Sequence, residues 1–198
     1  IYHEFDYAKL TLLNYIKARE MFNRTYKIIR EVVKAITEIE EVDAIRIADD
    51  ACDYSGYLYP RRFIKELYLP HHKELTIVIK RGGKIPVLHC DGDVLSTGLA
   101  EELRDHYKAF HPLDLVRKST SHAVRVWLRR VKEAKAVLSR NAFFTGLLIE
   151  LLYDDRVGVG DFISVVEELI REIPRGLVLS TTHRPYPGRS VLESRVLS

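Results

Sequence analysis

The densest group of chemistry-bearing residues is Leu88-His89-Cys90-Asp91-Gly92-Asp93. On an extended segment, residues i and i+2 point the same way. His89 and Asp91 then share one face, and Cys90 takes the other. A neutral imidazole beside a carboxylate offers two donors to a divalent metal, with a third ligand to come from elsewhere. Gly92 lets the backbone turn sharply just beyond them. The plainer alternative is that His89 caps a strand end and bonds to a neighbouring carboxylate. Spacing leaves both readings open, because two ligand-type residues often fall together by chance.

His183 follows Thr181-Thr182 and precedes a stiff segment in which Pro185 and Pro187 flank Tyr186. It could serve as a third metal ligand, a general acid or an anchor for an anionic substrate, or be a loop histidine with no role. Asp49-Asp50, with Asp53 and Tyr54, follows a short β-branched run. These carboxylates could bind a cation, accept a proton or orient a histidine. The competing reading makes Asp50 the cap of a turn.

Other signals are weighed the same way. His71-His72 follow Pro70 in a helical stretch and read as structural, away from the other candidates. Cys52 reads as a small, partly buried residue, with a reactive thiol as the alternative. Gly158-Val-Gly160 is too short for a phosphate loop and follows no strand. Arg125, Arg129, Arg130, Lys132, Lys135 and Arg140 read as the solvated face of a helix. Nucleic-acid binding would want aromatic residues between those charges, and Trp127 belongs to the opposite, apolar face.

These residues must be positioned by an alternation of helices and short strands. Residues 8–39 read as one helix with Ile29, Val32, Val33, Ile36 and Ile39 as its apolar stripe. Residues 43–48 read as a strand running into Asp49-Asp50. Pro60 opens a helix over 61–80, which Pro70 is expected to kink or divide and Gly82-Gly83 to end. Residues 84–90 are the second strand, 98–106 a short helix, and 107–110 a brief strand closed by His111-Pro112. Residues 121–138 form an amphipathic helix with Val124, Trp127, Leu128, Val131, Ala134 and Leu138 on one face. Residues 142–146 are a strand, Asp161 looks like the cap of helix 162–173, and 176–181 are the last strand. The tail from 188 reads as helical.

Five strands alternating with helices imply an α/β fold with a parallel sheet covered by helices. In such folds functional groups gather at the C-terminal ends of strands. Here those ends carry Asp49, Asp50, His89, Asp91, His111 and His183. The 198 residues, 46% hydrophobic and 30% charged, exclude disorder, a collagen-like fibre and a disulfide scaffold. The chain is read as one domain over 1–198. With 31 basic against 28 acidic residues, the net charge of +3 is too balanced to point to nucleic acid. No apolar run approaches the roughly 18 residues of a membrane span. The start IYHEFDYAKL shows no signal-peptide pattern, and two cysteines make no disulfide framework. A reducing, cytoplasmic location is expected.

Several of these segments together resemble the uroporphyrinogen decarboxylase superfamily. They are Ile47-Ala-Asp-Asp50, Gly56 to Pro60, Phe63, Pro70, His89-Cys-Asp-Gly-Asp93, His111-Pro112 and Leu179-Ser-Thr-Thr-His183-Arg-Pro-Tyr-Pro187. The resemblance runs from about residue 30 to the C-terminus. It implies the C-terminal part of a (β/α)8 TIM-type barrel. A complete barrel takes about 250 residues, and this chain starts without Met. The first strands are then expected upstream or from a completing chain, a homodimer partner included.

The superfamily holds a cofactor-free decarboxylase of porphyrin (haem) biosynthesis and a set of cobalamin-dependent methyltransferases that use zinc. The methyltransferase-like branch carries a His-x-Cys pair where this chain has His89-Cys90-Asp91, and a distant cysteine near His183. The resemblance thus implies a His89, Asp91, His183 metal set, with Asp91 in the place of the first cysteine and His183 in that of the second. It further implies a small-molecule substrate and a corrinoid on a partner protein. Asp49, Asp50 and His183 would be catalytic, and Tyr54, His111 and Tyr186 would bind substrate. The runner-up is uroporphyrinogen decarboxylation, with His183 acting without a metal. The third reading is a non-catalytic partial-barrel subunit or interaction module.

Overall fold

The computed structural model describes residues 4–116, 121–147 and 158–181. His183, Tyr186 and the helical tail expected from 188 lie outside these described residues.

The expected first helix is two. Helix α1 (Glu4–Leu13) stops at Asn14, whose Oδ1 accepts the backbone N–H of Lys17 at 3.1 Å and starts α2 (Tyr15–Thr37). Asparagine does this because its side chain replaces a missing backbone partner at a helix start. Tyr7 ties the two helices by donating to the Ala18 carbonyl at 2.8 Å.

Strand β1 (Ala44–Ala48) alternates as its sequence demands: Ile45 and Ile47 are buried, while Ala44, Arg46 and Ala48 are exposed. The chain crosses back through α3 (Arg61–Phe63), a π-helical turn (Ile64–Tyr68) and α4 (Leu69–Arg81). Pro70 therefore does not divide the helical run. The wider turn comes just before it, where an α-helix would drive the proline ring into the carbonyl four residues back.

Strand β2 (Ile85–His89), helix α5 (Leu99–Leu103), strand β3 (Ala109–His111), helix α6 (Ser121–Val137) and strand β4 (Ala142–Leu147) follow. Helix α7 (Val159–Glu172) and strand β5 (Leu177–Thr181) complete the described elements. Asp161 sits inside α7, not before it. Its carboxylate accepts the N–H of Gly158 at 3.2 Å, so the helix begins earlier than a cap at Asp161 implies.

All five strands are parallel and lie in the order β1-β2-β3-β4-β5, so neighbours in sequence are neighbours in the sheet. This is an α/β fold with a parallel five-stranded sheet and flanking helices. The core between them is built on Trp127, Tyr68, Tyr107, Phe63, Phe110 and Phe143, all fully buried. Trp127, Leu128, Val131 and Ala134 fill the expected apolar face of α6. Of the expected stripe only Val33 is buried; Ile29 and Val32 on α2, and Ile39 beyond its end, stay exposed. Among the described residues no helix is long and apolar enough to cross a membrane.

Candidate functional site

The register of β1, β2 and β3 sets the site. Ala48 pairs with His89, and His89 pairs with His111, so these three residues form one row at the C-terminal ends of adjacent strands. The ladder continues one residue further, with Asp49 N–H donating to the His89 carbonyl and Cys90 N–H to the His111 carbonyl, each at 3.0 Å. The loops leaving β1 and β2 are thereby held side by side.

Across that row the imidazoles of His89 and His111 stack, with ring centroids 5.0 Å apart. Their Nδ1 atoms lie 2.8 Å from each other, so one ring must donate and the other accept. With His89 as donor, its Nε2 keeps a lone pair. That atom faces Asp91 Oδ1 at 3.8 Å, too long for a hydrogen bond. Donors about 2.1 Å from a common ion in a tetrahedral array stand roughly 3.4 Å apart, close to the separation seen.

Asp50 completes the group. Its Oδ1 accepts the N–H of Asp91 at 2.8 Å, which locks the carboxylate against the β2 loop. Asp50, His89 and Asp91 each offer one ligand atom, and these atoms all lie within 4.8 Å of one another. All three side chains are half-buried. An imidazole with two carboxylates is a competent set for zinc or another first-row divalent ion. His111 would be the supporting partner that fixes the tautomer and orientation of His89.

Asp49 goes the other way. Successive residues leaving a strand diverge, and Asp49 turns behind the sheet to α4. There His72 Nε2 approaches Asp49 Oδ2 at 3.3 Å, and His72 Nδ1 meets the Tyr107 hydroxyl at 2.7 Å. Burial, and then the Asp49 charge, hold Tyr107 well above its ordinary range, so it keeps its proton and donates to His72. The Nε2–H of His72 is left to donate to Asp49. Asp49 and His72 line a largely apolar cavity of about 330 Å³ beside β1, together with Ile29, Val33, Ile45 and Ile47. Asp49 and Asp50, expected at one mouth, therefore serve different surroundings.

His72, expected to lie apart from the strand ends, reaches one of them. Tyr68, His72, Leu75 and Ile79 follow i, i+4, i+7, i+11 spacing and are all buried. That stripe was the available signal that His72 faces the sheet. His71 points instead to α2, where its Nε2 bonds Asn23 at 2.9 Å.

Tyr54 hydrogen-bonds the carboxylate of Asp114, a buried residue in the loop after β3 that no local pattern marked. Asp53 caps its own turn, accepting the N–H groups of Ser55 at 2.6 Å and Gly56 at 3.0 Å. Arg130, expected on the solvated face of α6, leaves it. Its Nη2 lies 2.7 Å from Asp93 Oδ1 and 2.6 Å from Oδ2; Oδ1 also accepts the N–H groups of Leu95 and Ser96, and Oδ2 the Ser96 hydroxyl. Asp93 is thus a buried carboxylate held by Arg130 and by its own loop.

Cys52 and Cys90 meet in the core with their sulfurs 3.6 Å apart. Hydrogen bonding with Cys90 lowers the Cys52 thiol from its ordinary range, and the same contact together with burial raises that of Cys90. Comparison with known proteins finds no matching family model, no matching curated protein and no matching solved structure.

Proposed function

We propose that Asp50, His89 and Asp91 hold a divalent first-row cation, zinc being the best fit. In this reading the chain is a metal-dependent, methyltransferase-like member of the uroporphyrinogen decarboxylase superfamily. The observation that carries the proposal is the convergence of the three donors from the ends of two adjacent parallel strands. The sequential strand order supports the barrel part of the reading, because a doubly wound sheet reverses its order at a switch point and this one does not.

A cation held there would acidify a bound thiol or water and keep it as a nucleophile. The chain's own residues define the rest. Asp50 fixes the β2 loop through the Asp91 N–H, and His111 orients His89. Two carboxylates and an imidazole form a harder donor set than one containing thiolates, which favours an oxygen or nitrogen nucleophile over the thiol usual in the resembling branch. The acceptor is a small molecule, and the methyl group comes from a corrinoid on a partner protein. His183, as a further ligand or general acid, belongs to the same proposal.

Metal analysis and zinc titration of the purified protein test this. One equivalent per chain is expected. His89→Ala and Asp50→Asn should each weaken binding by more than the roughly 10–100-fold that loss of a supporting partner costs. Asp49→Asn should leave binding unchanged, because Asp49 faces His72. No stoichiometric metal, or unchanged binding in His89→Ala, overturns the reading. Uroporphyrinogen decarboxylation that persists in a chelator would replace it.

A further inference from the structure

The chain has two cysteines in all. They come from different elements, 38 positions apart, and their sulfurs meet at 3.6 Å. Both are free thiols, and exposure is only 2% for Cys52 and 1% for Cys90. Cys52 lies two residues beyond Asp50, and Cys90 lies between His89 and Asp91.

The backbone on each side is already held. Cys52 bridges Tyr57 in a small antiparallel turn closed by Leu58 N–H to the Ala51 carbonyl at 2.9 Å. Cys90 N–H is bonded to the His111 carbonyl. The two loops touch at Gly92, where an added Cβ would meet Cys52 O and Asp53 Cα, each at 2.7 Å. A disulfide needs the sulfurs about 2.05 Å apart. Side-chain rotation must therefore supply roughly 1.5 Å of approach between two fixed backbones.

We propose that Cys52 and Cys90 are an oxidisable dithiol, which a peroxide closes to a disulfide tying the β1 loop to the end of β2. In the first step one sulfur attacks a peroxide oxygen, the O–O bond breaks, and a sulfenic acid and water form. In the second step the other sulfur attacks the sulfenic sulfur, an S–S bond forms, and a second water leaves. Overall two thiols and one hydrogen peroxide give one disulfide and two waters. Each sulfur loses one electron, and the peroxide gains two. With the second thiol in contact, the sulfenic acid is captured before it can be oxidised further. The cross-link ties together the backbone segments that carry Asp50, His89 and Asp91, but its formation needs no metal.

The test uses the full chain, reduced, freed of reductant and treated with hydrogen peroxide, with and without a chelator. Intact mass should fall by about 2 Da, the loss of two hydrogens. Both thiols should vanish from a count made in denaturant and return with dithiothreitol. Peptide mapping should recover a Cys52–Cys90 cross-link. Persistence of both thiols, or oxygen addition to either sulfur without a cross-link, overturns the proposal. Cys90→Ser should abolish the mass loss; should that variant misfold, the wild-type measurement decides alone. Cross-linking in the chelator separates this outcome from the zinc titration, so either proposal can fail without the other.

Discussion

Gly92→Ala is the substitution that most directly probes how the site is assembled. Gly92 has φ +97°, a backbone conformation that costs an L side chain about 1–2 kcal/mol. The new methyl would also lie 2.7 Å from Cys52 O and Asp53 Cα, and 2.9 Å from Asp53 C. These are backbone atoms and cannot rotate aside. Relieving them pushes the β1 loop away and breaks two bonds between the loops. One is Asp93 N–H to the Asp53 carbonyl at 3.3 Å, worth about 1 kcal/mol. The other is Asp91 N–H to the Asp50 carboxylate at 2.8 Å, worth about 2 kcal/mol because the acceptor is charged. The sum is about 4–5 kcal/mol. Gly83→Ala is the matched control: its φ is +74°, and nothing lies within 4 Å of its added Cβ. It should cost only the about 1–2 kcal/mol of the backbone conformation itself. Urea unfolding of both variants reads the difference in midpoint at constant slope. Zinc titration of folded Gly92→Ala should show a fall of about 10–100-fold, as for loss of a supporting partner. Equal destabilisation by the two variants would refute the backbone contact on which the site geometry rests.

Three further outcomes are expected. His111→Phe keeps the stacking on His89 but removes the ring nitrogen 2.8 Å from its Nδ1, and should weaken zinc binding about 10–100-fold while the fold persists by circular dichroism. Arg130→Ala strands the buried Asp93 carboxylate and should cost about 2–3 kcal/mol in denaturant unfolding, whereas Arg125→Ala on the same helix should be near neutral. Burial lowers the proton affinity of His71 and His106 below their ordinary value of 6.5. The unfolded chain then binds those protons more readily, so their contribution is complete above about pH 6.5 and is lost as pH falls below it. A His71→Asn, His106→Asn double variant should flatten the fall in stability over that window, and an unchanged pH slope would count against it.

Much of the architecture could be read from the chain's periodicities. The stripe at 124, 127, 128, 131 and 134 defines α6 and its buried face, because an apolar face at helical spacing has only one way to pack. The β-branched runs expected as strands over 43–48 and 84–90 are β1 (Ala44–Ala48) and β2 (Ile85–His89), each slightly shorter than expected. Local chemistry was harder to place. Asn14 reads as one polar residue in a helix until its side chain is seen capping α2, and the strain of Pro70 is absorbed by a π turn no periodicity announces.

The sequence by itself determined that His89 and the parallel strand ends carry the ligand-type residues, because strand alternation and the position of polar residues after apolar runs are local properties. Only the tertiary structure decided their company. The register Ala48–His89–His111 puts the two imidazoles in contact, and the turn after β1 sends Asp50 to the β2 loop and Asp49 to His72. The pairs Tyr54–Asp114, Asp93–Arg130 and Cys52–Cys90 join positions tens of residues apart. Such pairings follow from sheet register and helix docking, which sum over the whole core, and no short stretch of sequence contains that sum.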